Sequence, residues 1–105
     1  MRLLEFKVDK QTLKQDPNCD FTNIVAGSKN YLKAHFTFSD DWAGYRKAVS
    51  FWRGKEEHAF ILKDDACMIP EEVLVGRTFM VSVLGMKNGV TLPTNKVLVI
   101  QEVLR

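Results

Sequence analysis

The adjacent carboxylate pairs Asp40-Asp41, Asp64-Asp65 and Glu71-Glu72 are the residues of this 105-residue chain whose types first suggest acid–base chemistry. That chemistry takes two carboxylates held across a cleft in different environments, whereas each of these pairs is a local neighbour in a turn. Asp64-Asp65 reads as the end of a hairpin, and Glu71-Glu72 follow Pro70, where negative charge favours the start of a helical turn. His35 and His58 could join Cys67 around a metal, but the chain has no Cys-x-x-Cys or His-x-x-x-His spacing, so no metal site is expected. His35 alternates with Lys33 and Thr37 on what reads as a solvated strand face. Cys67, among Ala66, Met68 and Ile69, reads as a small buried hydrophobe. Gly85 and Gly89 fit neither a Walker loop nor a dinucleotide-binding turn. The expectation is a protein without catalytic residues or a cofactor, and not an enzyme.

Recognition is the chemistry that the remaining residues suit. Tyr45, Arg46, Trp52 and Arg53 are of the types favoured at protein–protein contacts, and they are the candidate partner-binding residues. Together with Lys33 and Lys47 they could also stack on and neutralise a nucleic acid, but Asp40, Asp41, Glu56 and Glu57 flank them and weaken any positive field. No nucleic-acid partner is expected. Trp52 shares its alternation with Ala48 and Ser50 rather than with Val49 and Phe51, so it either caps the edge of a core or anchors a partner. Met80 and Leu84, opposite in phase to Val81 and Val83, raise the same question, because a sheet apolar on both faces is covered on both faces.

The composition suits one globular domain spanning 1–105, with 46% hydrophobic and 27% charged residues. Fifteen basic residues against thirteen acidic leave a net charge of +2, scattered rather than clustered. No apolar run approaches the ~20 residues of a membrane span, and Glu5 and Lys7 interrupt what a signal peptide would keep apolar, so no membrane partner and no export are expected. Cys19 and Cys67 are expected as free thiols.

The elements that must position these residues read as strands. Leu4, Phe6 and Val8 alternate with Glu5 and Lys7, and Leu32, Ala34, Phe36 and Phe38 alternate with Tyr31, Lys33, His35 and Thr37. Lys47–Trp52 and His58–Leu62 form a hairpin around Arg53-Gly54-Lys55, Cys67–Ile69 is a short strand, and Pro70 opens one helical turn. Phe79, Val81 and Val83 mark the next strand, Lys87-Asn88-Gly89 a turn, and Val97, Val99 and Gln101 the last strand. Residues 9–29 dissolve into turn chemistry and read as a loosely patterned loop or arm, with apolar islands at Leu13 and Ile24-Val25. About seven short strands without a long amphipathic helix predict an all-β fold, a single antiparallel β-sandwich. Its expected core is Phe6, Val8, Leu32, Phe36, Phe38, Val49, Phe51, Ile61, Phe79, Val81, Val83 and Val99, with Trp42 closing one end.

The succession Val25-Ala26-Gly27-Ser28-Lys29-Asn30-Tyr31, Phe36-Thr37-Phe38-Ser39-Asp40-Asp41-Trp42-Ala43-Gly44, Cys67-Met68-Ile69-Pro70-Glu71-Glu72-Val73-Leu74, Val81-Ser82-Val83-Leu84-Gly85 and Thr91-Leu92-Pro93-Thr94-Asn95 resembles a known family. It is similar to the small immunoglobulin-like β-sandwich module of tail-fibre and upper baseplate proteins from phages of Gram-positive bacteria. The resemblance covers the chain from about Val25 onward and implies an immunoglobulin-like sandwich in a virion structural protein of the tail, baseplate or capsid, made in the host cytoplasm. Its implied partners are other virion proteins and copies of itself, as a homo-oligomer. The module usually precedes a longer fibre or receptor-binding region; this sequence departs from that pattern by stopping at Arg105 directly after its last strand, so the resemblance carries over the adaptor role and leaves receptor recognition open. A small phage-encoded inhibitor of a host defence or regulatory protein is the alternative expectation.

Overall fold

A computed structural model describes residues 1–104; Arg105, the last residue of the expected domain, lies outside them. Among the described residues the chain is all-β. Its strands are β1 (Arg2–Asp9), β2 (Thr12–Gln15), β3 (Leu32–Phe38), β4 (Arg46–Arg53), β5 (Glu56–Ile61), β6 (Ala66–Met68), β7 (Thr78–Lys87), β8 (Val90–Pro93) and β9 (Val97–Ile100). Helix is limited to single 3-10 turns at Asp40–Trp42 and Glu71–Val73. The strands form two sheets, one ordered β2-β1-β3-β6 and the other β5-β4-β7-β8, with β9 also along β7.

Among the described residues nine strands stand where about seven are expected. The two additions, β2 and β8, are four residues long each, too short for alternation to separate them from turns. A second correction concerns direction. β1 and β3 pair in parallel, from Arg2 opposite Leu32 to Val8 opposite Phe38, so the smaller sheet is not wholly antiparallel. The segment between β2 and β3 makes this possible. It passes from one side of β1 to the other around the end of the sandwich, seating Ile24 in the core and Phe21 edge-on against Phe6. The guanidinium of Arg2 holds this loop by donating to the carbonyls of Asp20, Thr22 and Asn23. Residues 9–29, expected as a loop or arm, thus contain β2 and a segment packed against the body.

Alternation accounts for the interior. Leu4, Phe6 and Val8 of β1 and Leu32, Ala34 and Phe36 of β3 face Val49 and Phe51 of β4, Phe79, Val81 and Val83 of β7 and Val99 of β9, all buried. Trp42 is fully buried and closes one end, its indole N–H donating to the Lys10 carbonyl at 2.7 Å and its ring 5.0 Å from that of Phe38. Phe38 is only partly buried at the margin. Ile61 corrects the expected core, for it is 62% exposed. The two-residue loop Gly54-Lys55 sets Arg53 opposite Glu56, which carries Ile61 opposite Ala48 on the outward face. Hairpin register, rather than hydrophobicity, decided its side.

The two sheets meet along one lateral seam. β8 and β9 lie in line along the same edge of β7, but the sum of paired residue numbers steps from Leu84 opposite Pro93 to Val81 opposite Val97, which leaves one extra residue between them. This is a β-bulge. Thr94 spans it, donating its N–H to the Val83 carbonyl and accepting the Val83 N–H on Oγ1. Asn95 is thereby turned out of the ladder toward β2 of the other sheet, where it bonds both backbone groups of Leu13. Gln11 and Gln15 flank it, donating to the carbonyls of Pro93 and Leu98. Side-chain amides replace a backbone ladder along the whole seam.

Candidate interaction surface

The carboxylate pairs belong to the scaffold. Asp64 and Asp65, at φ 54° and 58°, form the two-residue turn from β5 to β6, closed by reciprocal bonds between Lys63 and Ala66. Asp40-Asp41 and Glu71-Glu72 open the two 3-10 turns. His35 lies on the outward face of the four-stranded sheet, its Nδ1 bonded to the cross-strand carboxylate of Glu5. His58 sits opposite Phe51 on β5, and Cys67 on β6 in the other sheet. The structure does not gather them, and among the described residues no three His, Cys, Asp or Glu side chains are placed to hold a metal. Burial pushes the Cys67 thiol up, with Lys33 pulling weakly the other way.

The candidate partner-binding residues divide by parity along β4. Tyr45, just before the strand, packs on Trp42 with ring centres 6.1 Å apart and lies under the Lys87 ammonium. Gly85 makes room for this pair, since a Cβ there would stand 2.7 Å from the Trp42 ring and 3.2 Å from that of Tyr45. Arg53, at the far end, is exposed beside Glu56. Arg46 and Trp52 share the outward face but stand six residues apart on an extended strand, about 20 Å. The four residues form no single patch.

Trp52 does not cap the core. It lies on the outward face, its N–H donating to Ser82 Oγ at 2.9 Å and its ring covered by the Lys96 ammonium at 3.7 Å from the centroid. The strand registers lay out its surroundings as rows across the sheet. One row runs Ile61, Ala48, Leu84, Pro93; the next Ala59, Ser50, Ser82; and the next Glu57, Trp52, Met80, Leu98, with Ile100 beyond it opposite Thr78. Ser50 donates its hydroxyl to Glu57, which fixes that carboxylate over the face. The result is a narrow polar middle between two apolar wings, of which Ile61, Leu98 at 46% and Ile100 at 66% are open to solvent.

Alternation in the sequence exposed this face, through Met80, Leu84 and Trp52. Leu98 and Ile100 belong to it by the same rule, as the residues between Val97, Val99 and Gln101. Lys96 could not have been foreseen over Trp52, because only the bulge at Thr94-Asn95 puts it there.

Comparison with protein-family models, with curated proteins and with solved structures returns no match. No helix among the described residues is long and apolar enough to cross a membrane.

Proposed function

We propose that this chain is a non-enzymatic adaptor of a phage particle, an immunoglobulin-like β-sandwich that joins tail, baseplate or capsid components through protein–protein contacts. The observation that carries this reading is the outward face of the five-stranded sheet, where Ile61, Leu84, Leu98 and Ile100 stand exposed around Trp52. An antiparallel sheet normally turns polar residues to water on its free face, and an apolar one is a surface that works when covered. Trp52, already held by Ser82 and Lys96, offers a rigid aromatic anchor with little ordering entropy left to lose. The immunoglobulin-like assignment is supported by two packed, largely antiparallel sheets and by the motif succession from Val25 onward. Other virion proteins and further copies of the chain are the proposed partners.

Mass spectrometry of purified particles tests the reading. The protein is expected in the particle, and particles assembled with only the double variant Leu98→Asp, Ile100→Asp available are expected to lack it, since both positions are exposed and their replacement spares the core. Its absence from particles, with abundance in infected cells, would overturn the adaptor reading in favour of an inhibitor acting on a host protein.

A further inference from the structure

We propose that the recess between the start of β4 and the β7–β8 hairpin binds the phosphate group of a small organic phosphate monoester. Arg46, on its wall, lies six residues along β4 from Trp52, so the site stands or falls separately from the virion reading.

Strand lengths make the recess. β4 begins at Arg46, opposite Met86, whereas the hairpin runs on through Lys87 opposite Val90 to its turn at Asn88-Gly89. The overhang leaves an open recess of about 400 Å³, lined by Arg46, Met86, Lys87, Val90, Thr91 and the turn. That volume suits a small ligand. Two cations line it, and among the described residues no carboxylate does.

Charge selects the occupant. Elsewhere the cations that line recesses have acids beside them: Lys47 stands 3.4 Å from Asp65, Lys29 3.7 Å from Glu71, and His35 is bonded to Glu5. Among the described residues Arg46 and Lys87 form no ion pair. Unpaired cations on one recess repel each other, and an anion between them turns that repulsion into two attractions. The Lys87 ammonium is already held for this. It donates to the Ala43 carbonyl at 3.4 Å, stands 5.6 Å from the centre of the Tyr45 ring and lies 3.1 Å from where a Cβ on Gly44 would be. An ammonium has three donors, so others remain for a ligand. The guanidinium of Arg46 adds a planar fork that matches phosphate oxygens.

The remaining groups narrow the class. Asn88 and Gly89, at φ 49° and 80°, form a two-residue turn whose own N–H groups lie outside the ladder, and Thr91 adds a hydroxyl. Two cations favour a phosphate monoester, which approaches a double charge at neutral pH, over a singly charged carboxylate. Met86 and Val90, each 51% exposed, offer apolar contact to the organic body of the ester.

Amide proton–nitrogen spectra of the full chain, recorded as phenyl phosphate is added at constant ionic strength, test the site. Saturable shifts are expected at Arg46, Lys87, Asn88, Gly89 and Thr91, with a dissociation constant on the order of 1 mM. Arg46→Ala and Lys87→Gln, both at exposed positions, are each expected to weaken binding about fivefold and to leave the rest of the spectrum in place. Binding is expected to tighten severalfold as pH rises through about 6, where the ester takes its second charge. Inorganic phosphate is expected to shift the same residues but to bind more weakly, which separates a free phosphate ion from an ester as the ligand. Benzoate, with the same ring and one charge, is expected to bind more weakly still. The pH and benzoate arms use the unaltered chain, so the proposal remains refutable if a variant fails to fold. Absence of saturable shifts, shifts that both variants leave unchanged, benzoate binding as tightly as phenyl phosphate, or inorganic phosphate binding as tightly as the ester each overturns it.

Discussion

Asn95 holds both backbone groups of Leu13 from the opposite sheet, its Oδ1 2.7 Å from the Leu13 nitrogen and its Nδ2 3.0 Å from the Leu13 oxygen. Removing the amide leaves a donor and an acceptor on a part-buried strand without partners. Asn95→Ala is expected to cost about 1–3 kcal/mol in urea unfolding. Asn95→Asp is expected to be no better, because a carboxylate can accept from the Leu13 N–H but opposes lone pairs to its carbonyl.

Gly85 is a packing glycine. A methyl group there would meet the Trp42 ring at 2.7 Å, and Trp42 is itself pinned by its bond to Lys10 and by Phe38. Gly85→Ala is expected to destabilise by about 1–3 kcal/mol. Trp42→Phe in the same chain frees space and is expected to recover part of that loss, which a double-mutant cycle measures.

Burial raises the Cys67 thiol above its ordinary value of 9.0. A raised group leaves stability intact below its unfolded value and withdraws it as pH climbs through the folded one. Unfolding free energy is therefore expected to decline as pH passes upward through about 9.0, and less steeply in Cys67→Ala. Chemical denaturation of both proteins on either side of that pH checks the difference.

Asp20 titrates in the opposite sense. Bonds from the Thr22 hydroxyl and N–H hold its carboxyl below the ordinary 3.8. A lowered group contributes above its unfolded value, and its contribution is lost as pH falls through the folded one. The Thr22 amide resonance is expected to titrate with a midpoint under 3.8, and Asp20→Asn to abolish that titration.

What the sequence disclosed follows from the distance over which each signal acts. Alternation over five to eight residues marked β1, β3, β4 and β7 and their inward side chains, because a pleated strand buried on one face writes its period into the chain. β2 was hidden by its length and by its function: Gln11 and Gln15 share the phase of Leu13, where a half-buried strand would carry apolar residues, because they serve the seam. Hydrophobicity alone puts Ile61 inside, and only the length of the Gly54-Lys55 loop turns it out. The parallel pairing of β1 and β3 left no trace, since register between strands separated by a long excursion is written in packing and not in either strand. On the surface side, Trp52 was legible as out of phase, whereas its bond to Ser82 and the cation above it depend on strands brought from elsewhere.

Leu13 and Asn95 stand 82 positions apart along the chain. Contacts between such distant residues repay the entropy of loop closure only once most of the structure between them is in place. The hairpins β4–β5 and β7–β8 can form early and locally, while the amide seam closes last. Until it does, β2 and β9 are raw edges on a nearly finished protein, so dilute, cool refolding should favour the correct product over intermolecular strand exchange.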